Sequence, residues 1–271
     1  MNISVRRQGL RPSGFTLRLT IWVLAAGLLL AVVPASANAQ TLGFDFSVPA
    51  VVSGSQTEVP LEWYTDRAAP AGFTAASGVL SESVSPSGFQ TPTPNFYNTQ
   101  GNKFDLLAGT NSVSIELYVP STWELLNERL AGFWITAFDS TYAVGDYPII
   151  EFQGPIVSQV AGPSYYPNGG VAGFYGWNNT TNSFTLIGLP TGFRYNTWVK
   201  LTIELTGGQF AYIVSDANGE NAVGQYSPFS DLNDLYLGNV ILEGYNYDAP
   251  LTIKWKALKY SFSSNGQIVW N

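Results

Sequence analysis

Apolar and polar residues alternate with a period of two in several parts of the chain. In 113–119 (VSIELYV) and 199–205 (VKLTIEL), every second residue is aliphatic and the residues between are polar or tyrosine. This period is typical of strands that place one face in a core and the other in solvent. The segment 251–262 (LTIKWKALKYSF) shows the same pattern, and its alternate apolar residues from Leu251 to Ala257 are expected to share one face. We predict a strand in each segment.

A fourth segment, 130–138 (LAGFWITAF), is apolar at nearly every position. A short run of this kind is consistent with a central strand that is covered on both faces. One short helix is predicted at 121–130 (STWELLNERL), where Ser121 or Thr122 would cap the first turn and Glu124 would lie within it.

Turn residues separate these segments. They cluster at 109–112, 178–182, 206–208 and 216–221, where Asn218-Gly219 is a strong hairpin signal. Many short strands with polar loops predict an all-β, two-sheet antiparallel sandwich of the jelly-roll kind.

The N-terminus is predicted to be an export signal, because a basic segment precedes a short apolar run at 21–33 and small residues at 35–40. The apolar run is shorter than the roughly 20 residues of a membrane-spanning helix. We therefore expect cleavage after Ala39 and a soluble protein in the periplasm or outside the cell. The basic residues of the signal are Arg6, Arg7, Arg11 and Arg18.

The domain organisation predicted from these patterns is simple. Residues 1–39 form the signal peptide, and residues 40–103 contain N-terminal strands and a Pro/Ser/Thr-rich connection of the same domain. Residues 104–271 form the main body of the sandwich. Prolines at 86, 92 and 94 exclude a central strand in that connection.

Charge and composition narrow the possible functions. The signal holds four of the 12 basic residues and none of the 19 acidic ones, so the mature chain has a net charge of −11. Nucleic acid and anionic membranes prefer cationic surfaces, and neither is an expected partner. The chain has no cysteine and no histidine, which excludes disulfides, thiol nucleophiles and histidine triads, and makes zinc and copper sites unexpected.

We expect no cofactor. Asp216, Asn218 and Glu220 alternate as calcium ligands do, but the segment lacks the full EF-hand pattern, and a hairpin turn explains it more simply. A structural calcium elsewhere stays open.

The segment 196–216 resembles a strand pair of the concanavalin A-like lectin/glucanase sandwiches, including the laminin-G-like group, in which a Trp-led strand turns through a Gly-rich hairpin. The segment 235–261 resembles the closing strand pair of that fold, and 112–123 and 131–139 extend the likeness. The chain is also similar to exported bacterial members without an assigned activity. The resemblance implies a jelly-roll sandwich and a polysaccharide or other glycan as partner, with the oligomeric state open.

Two glutamates in apolar, aromatic strand-like segments are the catalytic candidates. Glu151 lies in YPIIEFQG (147–154), and Glu243 lies in VILEGYNY (240–247). A retaining glycosidase needs two carboxylates about 5–5.5 Å apart, and an inverting one needs roughly 6.5–9.5 Å. The simpler interpretation places both glutamates on solvent-facing sides of outer strands, where glutamate is common.

One resemblance supports a catalytic role for this pair, and other comparisons with related enzymes speak against it. Glu243-Gly244-Tyr245 resembles one catalytic strand of the small jelly-roll xylanases, whereas the segment at Glu151 matches the other strand only at the glutamate. The Glu-x-Asp-x-x-Glu strand of laminarinase-type hydrolases is missing. The lyases of this fold rely on Arg, Gln, His and Tyr, and this chain has no histidine.

Aromatic rings stack on sugars and asparagine side chains bond to hydroxyl groups, which makes the loop GFYGWNN (173–179) the main candidate for glycan contact. The alternative is a surface loop whose aromatics pack into the sandwich edge. The candidate ligand-binding residues are Tyr175, Trp177, Asn178, Asn179, Tyr245 and Tyr247.

Three functions follow from these observations. The leading hypothesis is an exported, non-catalytic carbohydrate- or surface-binding module. The second is a glycoside hydrolase that uses Glu151 and Glu243. The third is a structural or adhesive envelope protein with no small ligand.

Overall fold

Strands dominate the computed structural model, which describes residues 39–58, 61–85, 98–126, 128–155, 170–231, 233–245 and 250–263. Sixteen strands, β1 to β16, and one 3-10 turn at Ser121–Trp123 form the regular structure of these residues. The predicted signal peptide before Ala39 lies outside the described residues, as do Tyr247 and prolines 86, 92 and 94. Within the described part of the chain, no helix has the length and apolar character needed to cross a membrane.

The strands have the following bounds. They are β1 Ala39–Phe44, β2 Tyr64–Thr65, β3 Gly72–Ala76, β4 Val79–Val84, β5 Thr99–Asp105, β6 Thr110–Val119, β7 Arg129–Phe138, β8 Val144–Asp146, β9 Ile149–Gln153, β10 Gly173–Asn178, β11 Ser183–Gly188, β12 Thr197–Thr206, β13 Gln209–Asp216, β14 Val223–Pro228, β15 Tyr236–Tyr245 and β16 Leu251–Ser263.

Two antiparallel sheets of eight strands each form a sandwich. Sheet I has the order β14-β13-β12-β6-β16-β4-β3, with β1 beside β16. Sheet II has the order β11-β10-β9-β7-β15-β5-β2, with β8 beside β7. Strands from the segment before residue 104 join both sheets, so this segment is built into the sandwich.

The main core lies between the sheets and follows the predicted alternation. In β6, Val113, Ile115, Leu117 and Val119 are buried. In β12, Val199, Leu201 and Ile203 are buried in the same core cluster. The strand predictions for 113–119, 199–205 and 251–262 are therefore confirmed, and so is the all-β fold class.

Strand β7 confirms the prediction of a central strand covered on both faces. It lies between β15 and β9 in sheet II, and its residues from Arg129 to Ala137 are all buried. Phe133 and Ile135 point into the main core, whereas Trp134 belongs to a second, smaller apolar cluster. Sheet II is thus covered on its outer face as well, and the candidate site lies there.

The predicted helix at 121–130 is wrong. Only Ser121–Trp123 forms a 3-10 turn, and Arg129 already belongs to β7. Trp123 is buried and packs on Phe152 with 5.6 Å between ring centroids. Burial of this large ring in the short connection between β6 and β7 overrides the local helical propensity.

The predicted common face of Leu251–Ala257 is wrong at its last residue. The pairing of β16 with β6 shifts register between Lys256 and Lys259, and Ala257 has a φ of 52°. A β-bulge inserts one residue and moves the following side chains to the opposite faces. After the bulge, Leu258 and Tyr260 face the core.

Candidate functional site

The two glutamates lie in one cross-strand row of sheet II. Glu243 on β15 is opposite Gly101 on β5 and Gly132 on β7. Glu151 on β9 is opposite the same Gly132 and, on its other side, Tyr175 on β10. Residues opposite each other in a sheet point to the same face. The row therefore brings both carboxylates to the outer face, with Gly132 between them.

The interpretation of these glutamates as solvent-facing residues is wrong. Both side chains have 0% exposure. They lie beside the second apolar cluster, which covers this face of the sheet. Its members are Trp134, Ile149, Tyr175, Trp177, Phe184 and Ile241.

Hydrogen-bond donors surround Glu151. The Nε of Arg129 donates to Oε2 over 2.8 Å, and Nη2 of the same guanidinium donates to Oε1. The indole of Trp134 and the hydroxyl of Tyr245 each donate to Oε1 over 3.1 Å. Burial raises the pKa of Glu151, and the charge and hydrogen bonds of Arg129 oppose this rise. A carboxylate held in this way is suited to orienting its neighbours.

Arg129 is also enclosed by aromatic rings. Its guanidinium carbon lies 3.3 Å from the ring centroid of Tyr245 and 5.3 Å from that of Phe184. Cation–π contacts are strongest where the cation is removed from water. The buried Arg129 and Glu151 therefore fix the aromatic residues around them.

Glu243 has a different environment. Nη1 of Arg67 donates to its Oε2 over 3.2 Å, whereas its buried Oε1 has no hydrogen-bond partner among the described residues. Burial raises the pKa of Glu243 well above its usual value, and the charge of Arg67 only partly opposes this rise. Burial therefore disfavours the charged form of this side chain.

This geometry meets only part of the requirement for paired-carboxylate catalysis. The carboxylates share a face, and two strand spacings place their Cα atoms roughly 9–10 Å apart. However, each side chain is fully buried and bonded to an arginine, Glu151 to Arg129 and Glu243 to Arg67. A glycosidic bond has no access to either carboxyl group in this arrangement.

A pocket of about 210 Å³ opens at the edge of the same face. It is bounded by β7, by the β8–β9 connection, by β10 and the turn that follows it, and by loops before β3 and β15. Side chains that line it include Arg67, Trp134, Tyr147, Trp177, Asn179 and Asn182.

Asn179 presents a hydrogen-bond donor at this pocket. Its Oδ1 accepts the backbone N–H of Tyr147 over 3.0 Å, which fixes the orientation of the amide, because only the oxygen accepts. The Nδ2 is buried and has no hydrogen-bond partner among the described residues. A buried donor without a partner is costly unless a ligand or water oxygen satisfies it.

The predicted ligand-binding residues separate into three groups. Trp177 and Asn179 line the pocket. Tyr175 and Tyr245 are buried, and their hydroxyls donate to the Val171 carbonyl and to Glu151. The Oδ1 of Asn178 accepts two backbone N–H groups of the β10–β11 turn.

The sequence patterns did not point to Arg67, Trp134, Tyr147 or Asn182 as pocket residues. They come from four separate segments, and only the pairing of strands and the folding of loops brings them together. Tyr247 was predicted with Tyr245 and lies outside the described residues. Glycan contact by the predicted residues stays a prediction.

The segment 216–221 is a turn, as the hairpin signal predicted. It connects β13 and β14, and Oδ1 of Asp216 accepts the N–H groups of Asn218 and Glu220. Oδ2 accepts from Asn221, so both oxygens of the carboxylate serve the turn. In the described residues, no group of three acidic side chains converges as a metal site would require.

Comparison with known proteins finds the same fold in solved structures. No protein-family model matches the sequence, and no curated protein matches it. Among solved structures, the CBM2 module of an evolved Dit from Lactobacillus casei BL23 phage J-1 superposes with a TM-score of 0.50 at 8% identity, covering 84% of this chain and 98% of that one. Basic winged bean lectin with Tn-antigen superposes with a TM-score of 0.50 at 9% identity, covering 84% and 100%.

The fold is a concanavalin A-like jelly roll. At identities of 8% and 9%, the likeness concerns the arrangement of strands alone. It confirms the fold implied by the sequence resemblance, and the chemistry has to be argued from the side chains of this chain.

Proposed function

We propose that this protein is an exported, non-catalytic carbohydrate-binding module. The observation that carries the proposal is the pocket on sheet II, where Trp134 and Trp177 line the same cavity as Asn179, whose Nδ2 has no hydrogen-bond partner among the described residues. Sugars combine apolar ring faces with hydroxyl groups, and a site with aromatic walls and a few placed polar groups matches both.

The surroundings of the pocket support this proposal. Trp177 packs edge-to-face on Phe184 with 5.0 Å between ring centroids, so its indole is held in place before a ligand arrives. Arg129 and Glu151 fix the adjacent Trp134 through its indole N–H. A site held in position loses less conformational entropy on binding.

The buried carboxylates support a non-catalytic role. A general acid must reach the leaving oxygen, and a nucleophile must reach the sugar carbon. Glu151 and Glu243 are both covered. The basic and apolar character of residues 1–33 supports a location in the periplasm or outside the cell.

The structural relatives add support from analogy alone. One of them is a lectin crystallised with Tn-antigen, and another is a CBM2 module. Both share the jelly-roll fold with this chain at low identity, and folds of this kind host several functions.

The test is retention of the purified protein on a panel of insoluble and immobilised polysaccharides, with an assay for sugar released into the supernatant. We expect retention without release. The diagnostic variant is Asn179→Asp, which keeps the acceptor for the N–H of Tyr147 and removes the donor. It should lose retention, whereas Asn218→Asp, in the exposed turn between β13 and β14, should not. Failure of every glycan to retain the wild type would refute the proposal.

A glycoside hydrolase is the second candidate, and one observation favours it. Glu151 and Glu243 share a face and a row, with Tyr245 beside them. Release of sugar by the wild type and loss of release in Glu243→Gln would establish this candidate. The variant should fold normally, because Gln has the shape of Glu and burial disfavours a charge at this position. If the wild type shows neither retention nor release of sugar, a structural envelope role would be favoured.

A further inference from the structure

The outer face of sheet I collects lysines. Eight basic residues follow residue 39, and four of them point outward from β12 and β16 on this one face. They are Lys200, Lys254, Lys256 and Lys259. The outward-facing acidic residues of β6, β12 and β16 are Glu116 and Glu204. The face is therefore locally cationic in a chain whose charge is otherwise strongly negative.

The pairing of strands places the lysines around β6. Glu116 on β6 lies between Lys256 on β16 and Lys200 on β12. One step along β6 on the same face, Ser114 lies between Lys259 on β16 and Thr202 on β12. Lys200 and Lys259 therefore lie diagonally across β6, with the hydroxyl of Ser114 between them.

Only one of these lysines forms an ion pair among the described residues. Nζ of Lys256 lies 3.1 Å from Oε2 of Glu116. The structure gives Lys200 and Lys259 no carboxylate partner within the described part of the chain. An ammonium group without a carboxylate partner is open to an incoming anion.

Lys200 and Lys259 line one groove of about 340 Å³. Its floor is formed by short hydroxyl side chains, at Thr41, Ser112, Ser114, Thr202, Ser215 and Ser261. Hydroxyl groups donate and accept hydrogen bonds, and so suit the hydroxyls of a sugar. The groove therefore combines two lysines, which have no carboxylate partner among the described residues, with a floor of hydroxyl groups and a single carboxylate, that of Glu204.

Two aromatic rings on this face contact the lysines that lie beside the groove. Nζ of Lys256 lies 4.4 Å from the ring centroid of Trp198, and Nζ of Lys254 lies 5.8 Å from that of Tyr118. The two rings pack on each other with 5.4 Å between centroids. These contacts hold two ammonium groups beside the groove in defined positions.

We propose that this face of sheet I, lined by Lys200 and Lys259, binds an acidic polysaccharide through the carboxylates of its sugar units. The lysines bind the carboxylates, and the hydroxyl floor binds the sugar hydroxyls. Glu116 and Glu204 disfavour the denser charge of nucleic acid and of anionic lipid surfaces, as does the net negative charge of the rest of the molecule. The groove lies on the other sheet from the pocket of sheet II and goes beyond the function proposed above.

Calorimetric titration of the purified protein with polygalacturonate tests this proposal, with the fully methyl-esterified polymer as the matched uncharged probe. We expect binding of the acid form alone, and weaker binding at about 500 mM salt than at about 20 mM, because salt screens exposed charges. Replacing both Lys200 and Lys259 by Gln should weaken binding at least about ten-fold, since two charge-assisted hydrogen bonds are lost. The double variant Lys103→Gln/Arg194→Gln has the same net charge, leaves the lysines of this face in place because Lys103 lies on β5 of sheet II, and should bind within about two-fold of the wild type.

Three results would overturn the proposal. They are no binding of polygalacturonate by the wild type, equal losses in the two double variants, and binding of duplex DNA or anionic vesicles at least as tight as that of polygalacturonate. The pocket variant Asn179→Asp should bind polygalacturonate like the wild type. The two sites therefore succeed or fail independently.

Discussion

Glu151 and Glu243 lie in one cross-strand row of sheet II, with Gly132 between them. Each carboxyl group meets a different arginine, Arg129 for Glu151 and Arg67 for Glu243. Two carboxyl groups on one sheet face among aromatic side chains are what a glycoside hydrolase would present. Burial and pairing instead make it the framework that holds the neighbouring aromatic residues.

Arg129 should contribute strongly to stability. Arg129→Met leaves the carboxylate of Glu151 buried without its counter-charge, and loss of one partner of a buried pair costs roughly 3–5 kcal/mol. The double variant Arg129→Met/Glu151→Gln removes the charge and keeps an acceptor for Tyr245 and Trp134. Urea unfolding should show the double variant to be more stable than Arg129→Met. A double variant that is less stable would mean that packing of the guanidinium, rather than charge, dominates.

Gly132 should tolerate no side chain. A Cβ there would lie 2.7 Å from Nε1 of Trp134 and 3.1 Å from Cγ of Glu243. Gly132→Ala should lower the free energy of unfolding by roughly 1–3 kcal/mol through overpacking, and should weaken glycan retention by displacing Trp134. Gly72→Ala is the matched control, because its Cβ would meet only ordinary contacts with Ser83 at 3.6 Å. Equal effects of the two substitutions would contradict the role given to Gly132.

Glu82 should make stability depend on pH. It is buried in the main core, where Trp255 donates to Oε2 over 3.0 Å, and burial raises its pKa from 4.5 to about 8. Between these values the unfolded chain releases the proton and the folded chain keeps it, so the free energy of unfolding falls as pH rises. The expected fall is roughly 3–5 kcal/mol over that range.

Urea unfolding of the wild type and of Glu82→Gln at several pH values between 4.5 and 8 checks this prediction. The variant should lose part of the pH dependence and should be the more stable protein at the upper end. Other buried carboxyl groups contribute in the same direction, because burial raises the pKa of Asp105 to about 6 and that of Asp234 to about 8. An unchanged slope in the variant would show that Glu82 is ionised in the folded state.

The turn between β13 and β14 should be independent of calcium. Both carboxylate oxygens of Asp216 accept hydrogen bonds from the turn, and these bonds lower its pKa. Asp216→Ala should lower Tm, whereas calcium or EDTA should leave the Tm of the wild type unchanged. A rise in Tm with calcium that disappears in Asp216→Ala would assign a metal to this turn.

The sheet framework could be predicted from sequence, because burial on one face of a strand leaves a period of two. Strands β6 and β12 have the predicted alternation, and the all-apolar β7 lies in the centre of sheet II, as predicted. It failed where tertiary packing decides, as at the bulge of Ala257 and at Trp123, whose burial prevents the predicted helix. Local patterns do not contain these contacts.

Only part of the candidate site could be predicted from the sequence. Alternation places Glu151 on the same strand face as Ile149 and Gln153, but it does not distinguish an outer face in solvent from an outer face that is buried. The cover depends on Arg67 and Arg129, which come from distant segments. Trp177 and Asn179 could be predicted because aromatic and amide residues cluster in the segment 173–179, whereas Trp134 looked like an ordinary core residue.

Comparison of wild type and Asn179→Asp in glycan retention tests the central claim most directly. The substitution changes one donor into an acceptor and leaves the bond to the N–H of Tyr147 in place. The account predicts retention of the wild type without release of sugar, and loss of retention in a variant that keeps the native circular dichroism spectrum. Equal retention of the two proteins, or release of sugar by the wild type, would contradict it.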